Sequence, residues 1–170
     1  MIYIGLGSNL ASLEFGPPVR ILDAVLGKLN NYGVHIVARS RWFRSRPIPD
    51  LGQPWFCNGV IAVETGLEPR ELLAVLHRIE GDFGRVRRQR WEDRVLDLDL
   101  LAYHDRVSAE PVEAGAPILP HPRLAERAFV LLPLAEIAPS WHHPASGQSI
   151  ASLIARLDPA QIVQPIELSS

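Results

Sequence analysis

The sequence predicts an α+β fold, an antiparallel sheet with helices packed on one face. Apolar runs with β-strand character alternate with two longer stretches in which apolar residues recur at helical spacing. Their order along the chain is β-α-β-β-α-β, which favours such a layered arrangement. The chain has 170 residues, of which 47% are hydrophobic, so we expect a single domain over residues 1–170 with its own core.

The first half of the chain contributes a strand, a helix and a second strand. Residues 2–6 predict the first strand, and Pro17 and Pro18 favour a helix start. Apolar residues then follow at helical spacing: Val19, Leu22, Val25, Leu26 and Leu29. A β-rich run covers residues 34–43. The prolines and the glycine within residues 46–54 indicate a loop.

The second half of the chain supplies the remaining strands and helices. We expect a strand over residues 56–65, a helix from Glu68-Pro69 to about Phe83, and a strand beginning near Leu96. This order of elements is the ferredoxin-like arrangement. Beyond Tyr103 the sequence predicts short helices at 122–126, 127–137 and 150–157. From Pro159 we expect an irregular tail or a minor strand.

Composition and charge exclude several classes of protein. The net charge of −2 argues against a dedicated nucleic-acid binder, which is usually basic overall. The single cysteine, Cys57, cannot form an internal disulfide and fits a reducing compartment. The sequence contains no signal-peptide pattern and no apolar run of membrane-spanning length. A cytoplasmic protein without membrane or nucleic-acid partners is the simplest interpretation.

An arginine cluster followed by a pair of aspartates is the most informative feature of the sequence. Asp97 and Asp99 alternate with leucines, so on a strand both carboxylates point to the same face. Paired carboxylates suit Mg²⁺, and the guanidinium groups between residues 85 and 94 suit phosphate. The pattern favours metal-assisted phosphoryl chemistry. Two alternatives stay open, which are the solvated face of an edge strand and a nucleic-acid or solvated arginine loop.

Four segments in order resemble motifs of the 6-hydroxymethyl-7,8-dihydropterin pyrophosphokinase family, which moves a pyrophosphoryl group from ATP to a pterin alcohol in the folate pathway. The segments are Gly7-Ser8-Asn9-Leu10, residues 53–58, residues 84–99, and residues 119–131 with their extension over 133–139. The third segment, which contains the arginines and both aspartates, is the most specific. The resemblance extends from about residue 2 to about residue 140.

The resemblance implies a nucleotide site built around the aspartate pair. Asp97 and Asp99 would ligate two Mg²⁺ ions that bridge the ATP phosphates, and Arg85 and Arg94 would make catalytic contacts. These arginines belong to a loop that is expected to close over ATP. Further ATP contacts are implied for a wider set of residues: His77, Glu80, Arg87, Arg90, Leu100, His121 and Arg127.

The resemblance also implies a pterin pocket. Asn58 would hydrogen-bond the amide-like edge of the pterin, and Phe56 and Phe129 would stack on its two faces. Other pocket residues are implied by position: Ser45, Pro47, Ile48 and Trp91. Taken singly, these residue types have ordinary explanations, because most phenylalanines fill cores and most asparagines are satisfied turn or strand amides.

Three departures from the family pattern concern the edges of these sites. Glu92-Asp93 stands where the family commonly has Gly-Pro, Arg46 replaces a frequent proline, and Pro122 replaces a frequent aromatic residue. None of them removes an aspartate or Asn58, so we expect an active enzyme whose kinetics differ from those of other family members. We also expect a monomer. A nucleotidyltransferase is the enzymatic alternative, although its Gly-Ser and Asp-x-Asp elements usually lie close in sequence. A ligand-binding module that is not an enzyme is the second alternative.

Overall fold

The computed structural model describes residues 1–84, 95–108, 110 and 114–167. In this part of the chain six strands form one antiparallel sheet in the order β5-β1-β4-β3-β6, and β2 also pairs with β4. The strands are β1 (Ile2–Ser8), β2 (His35–Arg39), β3 (Phe43–Ser45), β4 (Phe56–Glu64), β5 (Asp97–Tyr103) and β6 (Val163–Pro165). The predicted antiparallel sheet is confirmed.

Four α-helices and one 3₁₀ turn accompany the sheet among the described residues. They are α1 (Pro18–Asn31), α2 (Pro69–Asp82), the 3₁₀ turn Leu124–Glu126, α3 (Ala128–Ile137) and α4 (Ile150–Ala155). Both long helices begin at a proline, as the sequence predicts. At the start of α2 the Glu71 side chain accepts a hydrogen bond from the backbone N–H of Glu68 at 3.1 Å, which satisfies one of the free N–H groups there.

The run expected to be one strand over residues 34–43 is divided into β2 and β3. The break lies at Ser40, whose hydroxyl accepts a hydrogen bond from the backbone N–H of Val60 at 3.0 Å. The backbone N–H of Ser40 donates to the Val60 carbonyl at 2.9 Å. Because a side chain replaces a backbone partner at this point, the regular ladder between the two strands and β4 is interrupted.

Helices cover both faces of the sheet. On one face, α1 and α2 pack on Ile4, Leu6 and Leu98 in a large apolar core. On the other, α3 and α4 pack on Tyr3, Val60 and other residues of β1, β4 and β5. The prediction of an antiparallel sheet with helices packed on it is confirmed, but the expectation that the helices cover only one face is wrong, because α3 and α4 cover the second face. All seven residues of β1 are buried, as expected for a strand covered on both sides.

None of the helices in the described ranges combines the length and the apolar character that crossing a membrane requires.

Candidate active site

Three neighbouring strands bring the predicted site residues onto one face of the sheet. Asp97 on β5 lies opposite Gly7 on β1, and Gly7 lies opposite Asn58 on β4. Residues that pair directly across strands share a face, so Asp97 and Asn58 flank Gly7 on the same side. A Cβ atom at Gly7 would lie 2.9 Å from Nδ2 of Asn58. The missing side chain at Gly7 therefore leaves the space that the Asn58 amide occupies.

A cavity of about 650 Å³ opens at this place, between the sheet, the loop after β3 and the start of α3. All the predicted pterin residues that the structure describes line it: Ser45, Pro47, Ile48, Phe56, Asn58 and Phe129. Asp97 and Arg127 line it as well. Its volume lies within the range of small-molecule sites, which are typically concave and few per protein. The cavity brings together segments that are far apart in the sequence.

The Asn58 amide is held in a fixed orientation inside this cavity. The Ser45 hydroxyl donates to Oδ1 of Asn58 at 2.5 Å, and both side chains are almost completely buried, with residue exposures of 3% and 5%. The hydrogen bond identifies Oδ1 as the acceptor and leaves the Nδ2 hydrogens as donors toward Gly7 and the cavity. A fixed, buried amide of this kind can form hydrogen bonds with polar groups on the edge of a ligand.

Asp99 and Arg127 form the charged end of the site. Nη1 of Arg127 lies 3.8 Å from Oδ2 of Asp99, and both side chains are partly exposed. The same guanidinium lies over the ring of Phe129, at 5.4 Å from the ring centroid. Arg127 thus connects the aspartate pair with the aromatic wall of the cavity. A guanidinium in this position can bind phosphate oxygens in a fork.

His121 adjoins the same charged end. Its backbone N–H donates to the Leu101 carbonyl at 2.8 Å, and its Nδ1 accepts from the backbone N–H of Arg123 at 3.2 Å. Burial, helped by the Arg127 guanidinium, lowers the pKa of His121 to about 4, although the Asp97 carboxylate acts in the opposite direction. The imidazole is therefore neutral near pH 7. Because Nδ1 accepts, the proton lies on Nε2 and can be donated to an anion.

Glu80 supports the strand that carries the aspartates. It is 2% exposed on α2, and its Oε2 accepts from the backbone N–H of Leu98 at 2.9 Å. Leu98 lies between Asp97 and Asp99 on β5, which is an edge strand among the strands that the structure describes. The structure therefore gives Glu80 a contact that fixes the position of β5. Its contact with the nucleotide stays a prediction.

The other predicted nucleotide residues do not line the cavity or lie outside the described ranges. His77 is exposed on α2, and the Leu100 side chain is buried in the core against α1 and α2. Their contacts with ATP stay predictions. Five predicted residues, together with Glu92 and Asp93, lie outside the described residues: Arg85, Arg87, Arg90, Trp91 and Arg94.

Within the described residues, the protein can offer a metal ion two carboxylates rather than a larger cluster of ligands. In the ranges that the structure covers, no group of three or more His, Cys, Asp and Glu side chains could hold a metal ion. The carboxylates that fit are Asp97 and Asp99, which share one strand face beside the cavity. Mg²⁺ commonly takes one or two protein carboxylates and completes its shell with water and substrate phosphates. This donor set fits such an ion.

Sequence reasoning missed a further group of cavity residues. Asn9, Gln53 and Arg123 belong to the segments that carry the resemblance, but no site role was assigned to them. Gln161 and Val163 come from the segment after Pro159, where the sequence predicts only a tail or a minor strand, and Asp158 directly precedes that segment. No local pattern marks them, because they reach the cavity through the pairing of β6 with β3.

Comparison with known proteins agrees with this geometry. Residues 3–139 match the family described as 7,8-dihydro-6-hydroxymethylpterin-pyrophosphokinase. The chain is 42% identical over 161 residues to the 2-amino-4-hydroxy-6-hydroxymethyldihydropteridine pyrophosphokinase of Methylorubrum extorquens, covering 94% of this chain and 95% of the relative. The protein of the same name from Haemophilus influenzae is 39% identical over 153 residues, which cover 89% of each chain.

A solved structure shares the fold. The crystal structure of Plasmodium falciparum HPPK-DHPS with STZ-DHP superposes with a TM-score of 0.66 at 12% sequence identity. The match covers 91% of this chain and 42% of that longer chain. At this identity the likeness concerns the fold alone.

Proposed function

Because the chain belongs to the 7,8-dihydro-6-hydroxymethylpterin-pyrophosphokinase family, we propose that the cavity beside Asp97 is where its reaction takes place. The chain transfers a pyrophosphoryl group from ATP to 6-hydroxymethyl-7,8-dihydropterin, giving AMP and the pterin diphosphate, in tetrahydrofolate biosynthesis. One observation carries the proposed location. Asn58, Asp97 and Phe129 come from three distant parts of the chain and line a single cavity.

The pterin occupies the end of the cavity between β4 and α3. Phe56 and Phe129 both line it and supply flat apolar surfaces on which a fused ring can stack. The Asn58 amide, oriented by Ser45, hydrogen-bonds the amide-like edge of the ring. Pro47 and Ile48 close the side of the pocket with apolar surface. This arrangement directs the hydroxymethyl group of the pterin toward Asp97.

The ATP phosphates occupy the charged end. Asp97 and Asp99 are the residues that would hold Mg²⁺, two ions in our proposal, and the bound metal neutralises charge on the triphosphate. Arg127 binds phosphate oxygens with its guanidinium, and neutral His121 donates from Nε2. These groups stabilise charge that develops on the transferring group, which is the main way in which proteins catalyse phosphoryl transfer.

The chemical step needs no protein nucleophile. The hydroxymethyl oxygen of the pterin attacks the β-phosphorus of ATP while the bond from that phosphorus to the oxygen bridging it to the α-phosphate breaks, so AMP leaves. The hydroxyl proton passes to solvent. Burial raises the pKa of the Cys57 thiol to about 12, so this cysteine is protonated at neutral pH and does not act as a nucleophile.

We assign the remaining phosphate contacts to the segment between α2 and β5. It runs from Phe83 to Leu96 and leads directly into the strand that carries Asp97. This connection to the strand that carries Asp97 supports a role for its arginines at the phosphate end. In our proposal Arg85 and Arg94 make catalytic contacts, Arg87 and Arg90 bind ATP, and Trp91 covers the pterin. His77, Glu80 and Leu100 complete the nucleotide side.

The wider setting of the reaction also belongs to the proposal. The chain acts as a single domain and as a monomer in the cytoplasm. Its partners are the small molecules ATP and 6-hydroxymethyl-7,8-dihydropterin. The net charge of −2 and the local rather than global basic cluster support a small anionic ligand over nucleic acid.

The test is the formation of AMP from ATP and Mg²⁺ with and without 6-hydroxymethyl-7,8-dihydropterin. We expect AMP in amounts equal to the pterin diphosphate, and only when the pterin is present. Asn58→Ala should raise the KM for the pterin without changing the KM for ATP. Release of pyrophosphate instead of AMP would indicate nucleotidyl transfer and contradict the proposal.

A further inference from the structure

The C-terminal segment forms one wall of the cavity, although it lies beyond the residues that match the family. That match ends at residue 139, whereas Asp158, Gln161, Ile162 and Val163 line the cavity. These residues lie between α4 and β6 and at the start of β6. The cavity is therefore completed by a part of the chain to which no role in the reaction has been assigned above.

This segment is bonded to the loop that forms the pterin side of the cavity. Val163 on β6 lies opposite Ser45 on β3, and the backbone N–H of Arg46 donates to the Ile162 carbonyl at 3.0 Å. The pairing extends the sheet up to Arg46, where residues 46–48 begin to line the cavity. The segment is thus fixed relative to Ser45 and, through it, relative to Asn58.

Gln161 bonds the same segment to the opposite wall. Its Oε1 accepts from the backbone N–H of Ala128 at 2.9 Å, and its Nε2 donates to the backbone carbonyl of Glu126 at 2.9 Å. These two backbone groups stand on either side of Arg127 in the sequence. One side-chain amide therefore holds the chain immediately before and immediately after Arg127.

The local sequence explains why a distant residue makes these bonds. Arg127 is the N-cap residue of α3, and its side chain makes no capping hydrogen bond. An N-cap position usually carries Ser, Thr, Asp or Asn, whose side-chain oxygen satisfies a free N–H at the helix start. A guanidinium has no acceptor and cannot do so. Gln161 supplies the acceptor that Arg127 lacks.

We propose that Gln161 is a positioning residue for pyrophosphoryl transfer, because its amide holds the backbone on both sides of Arg127 and so places the guanidinium between Asp99 and Phe129. The inference rests on the proposed role of Arg127 in phosphate binding. The position requires a donor and an acceptor on one side chain of this length. Glutamate retains only the acceptor, and methionine makes neither strong hydrogen bond.

The matched variants are Gln161→Met, Gln161→Glu and a control, Gln164→Met. Gln164 lies on β6 in the same segment, is exposed, and does not line the cavity. We expect Gln161→Met to lower kcat/KM for ATP about tenfold, which is less than the roughly 10²-fold loss that a misplacement of about 1 Å can cause. Gln161→Glu should lose less, and Gln164→Met should stay within about twofold of the parent protein. Thermal unfolding of each variant reports on folding.

A double-mutant cycle with Arg127→Ala separates positioning from general stability. If Gln161 acts through Arg127, its replacement should cost about tenfold in the parent protein and less than about twofold in the Arg127→Ala protein. An equal loss in both backgrounds would overturn the proposal. If Gln161→Met does not fold, Gln161→Glu decides by the same comparison.

The cycle also distinguishes the inference from the function on which it rests. Full activity of Arg127→Ala would contradict the proposed role of Arg127 and, with it, the role of Gln161. A large loss in Arg127→Ala together with no loss in either Gln161 variant would leave the function standing and remove only the positioning role.

Discussion

The two faces of the sheet are built from the same strands and have different tasks. On β5, Leu98 and Leu100 are 2% and 3% exposed against α1 and α2, whereas Asp97 and Asp99 point to the other face. That second face is covered by α3 and α4 around Leu101, but it opens into the cavity at the Asp97 end. The site therefore lies where α3 and α4 leave part of one face uncovered. The strands that form it are held in place by the core on the opposite face.

This difference shows that residues that stabilise the fold alternate along β5 with residues that face the proposed site. A strand reverses the direction of its side chains at every position, so adjacent residues belong to different environments. Substitution of Leu98 on the core face should change the free energy of unfolding and leave the chemistry of the folded protein intact. Substitutions on the cavity face should do the reverse.

The largest expected effect is on the cavity face. Asp97→Asn keeps the size of the side chain but removes the negative charge that would hold Mg²⁺. We expect kcat to fall about 10³-fold, as for the loss of a principal charge-stabilising group, with little change in the melting temperature. Steady-state AMP formation and thermal unfolding measure the two quantities. A kcat within threefold of the parent, as an approximate limit, would contradict the metal assignment.

The neighbouring core residue should show the opposite behaviour. Leu98→Ala removes a buried side chain from the α1 and α2 core and should lower the free energy of unfolding by about 2–5 kcal/mol. Urea unfolding gives this quantity, and AMP formation under conditions where the variant is folded should give a kcat near that of the parent. A stable Leu98→Ala protein with a large loss of kcat would break the distinction between the faces.

A smaller effect is expected at Gly7, which has its role because it lacks a side chain. A Cβ there would lie 2.9 Å from Nδ2 of Asn58, so Gly7→Ala must displace the amide. We expect the KM for the pterin to rise about tenfold while the KM for ATP stays unchanged.

Gly27→Ala is the matched control for Gly7→Ala. Gly27 lies within α1, and a Cβ there meets no atom within 4 Å. It should leave both KM values unchanged and stabilise the helix by about 0.5–1 kcal/mol. Equal KM values for the pterin in the two variants would show that the Asn58 amide does not depend on the space at Gly7.

The smallest effect concerns the pH dependence of stability. His121 has a pKa of about 4 in the folded chain against an ordinary value of 6.5, mainly because of burial. Between these values the unfolded chain binds more protons, so the free energy of unfolding decreases as the pH falls through this window. His121→Gln should reduce the difference in melting temperature between pH 7 and pH 4.5. An unchanged difference would show that burial does not depress this pKa.

The fold and the centre of the site follow from local signals in the sequence. The alternation of Asp97 and Asp99 with leucines predicted both the strand and the shared face of the carboxylates. Periodicity and Pro17-Pro18 located α1. Asn58 and Phe129 were implied by the resemblance of the motif segments to the family, and both line the cavity.

The unpredicted parts depend on contacts between segments that are distant in sequence. Nothing near Ser40 indicates that its hydroxyl replaces a strand partner of Val60. Gln161 reaches the start of α3 only because β6 pairs with β3, and a single-sequence pattern carries no record of that pairing. The cover on the second face is indicated by the nearly continuous apolar character of β1 and β4, which is typical of strands buried on both sides.

The most direct test of the account is a crystal structure with 6-hydroxymethyl-7,8-dihydropterin, Mg²⁺ and α,β-methylene ATP, whose α–β linkage cannot be cleaved in the reaction. The account predicts the pterin between Phe56 and Phe129 with its amide edge on Asn58, and metal-bound phosphates at Asp97 and Asp99. Ligands bound at another surface, with the cavity beside Asp97 empty, would contradict it.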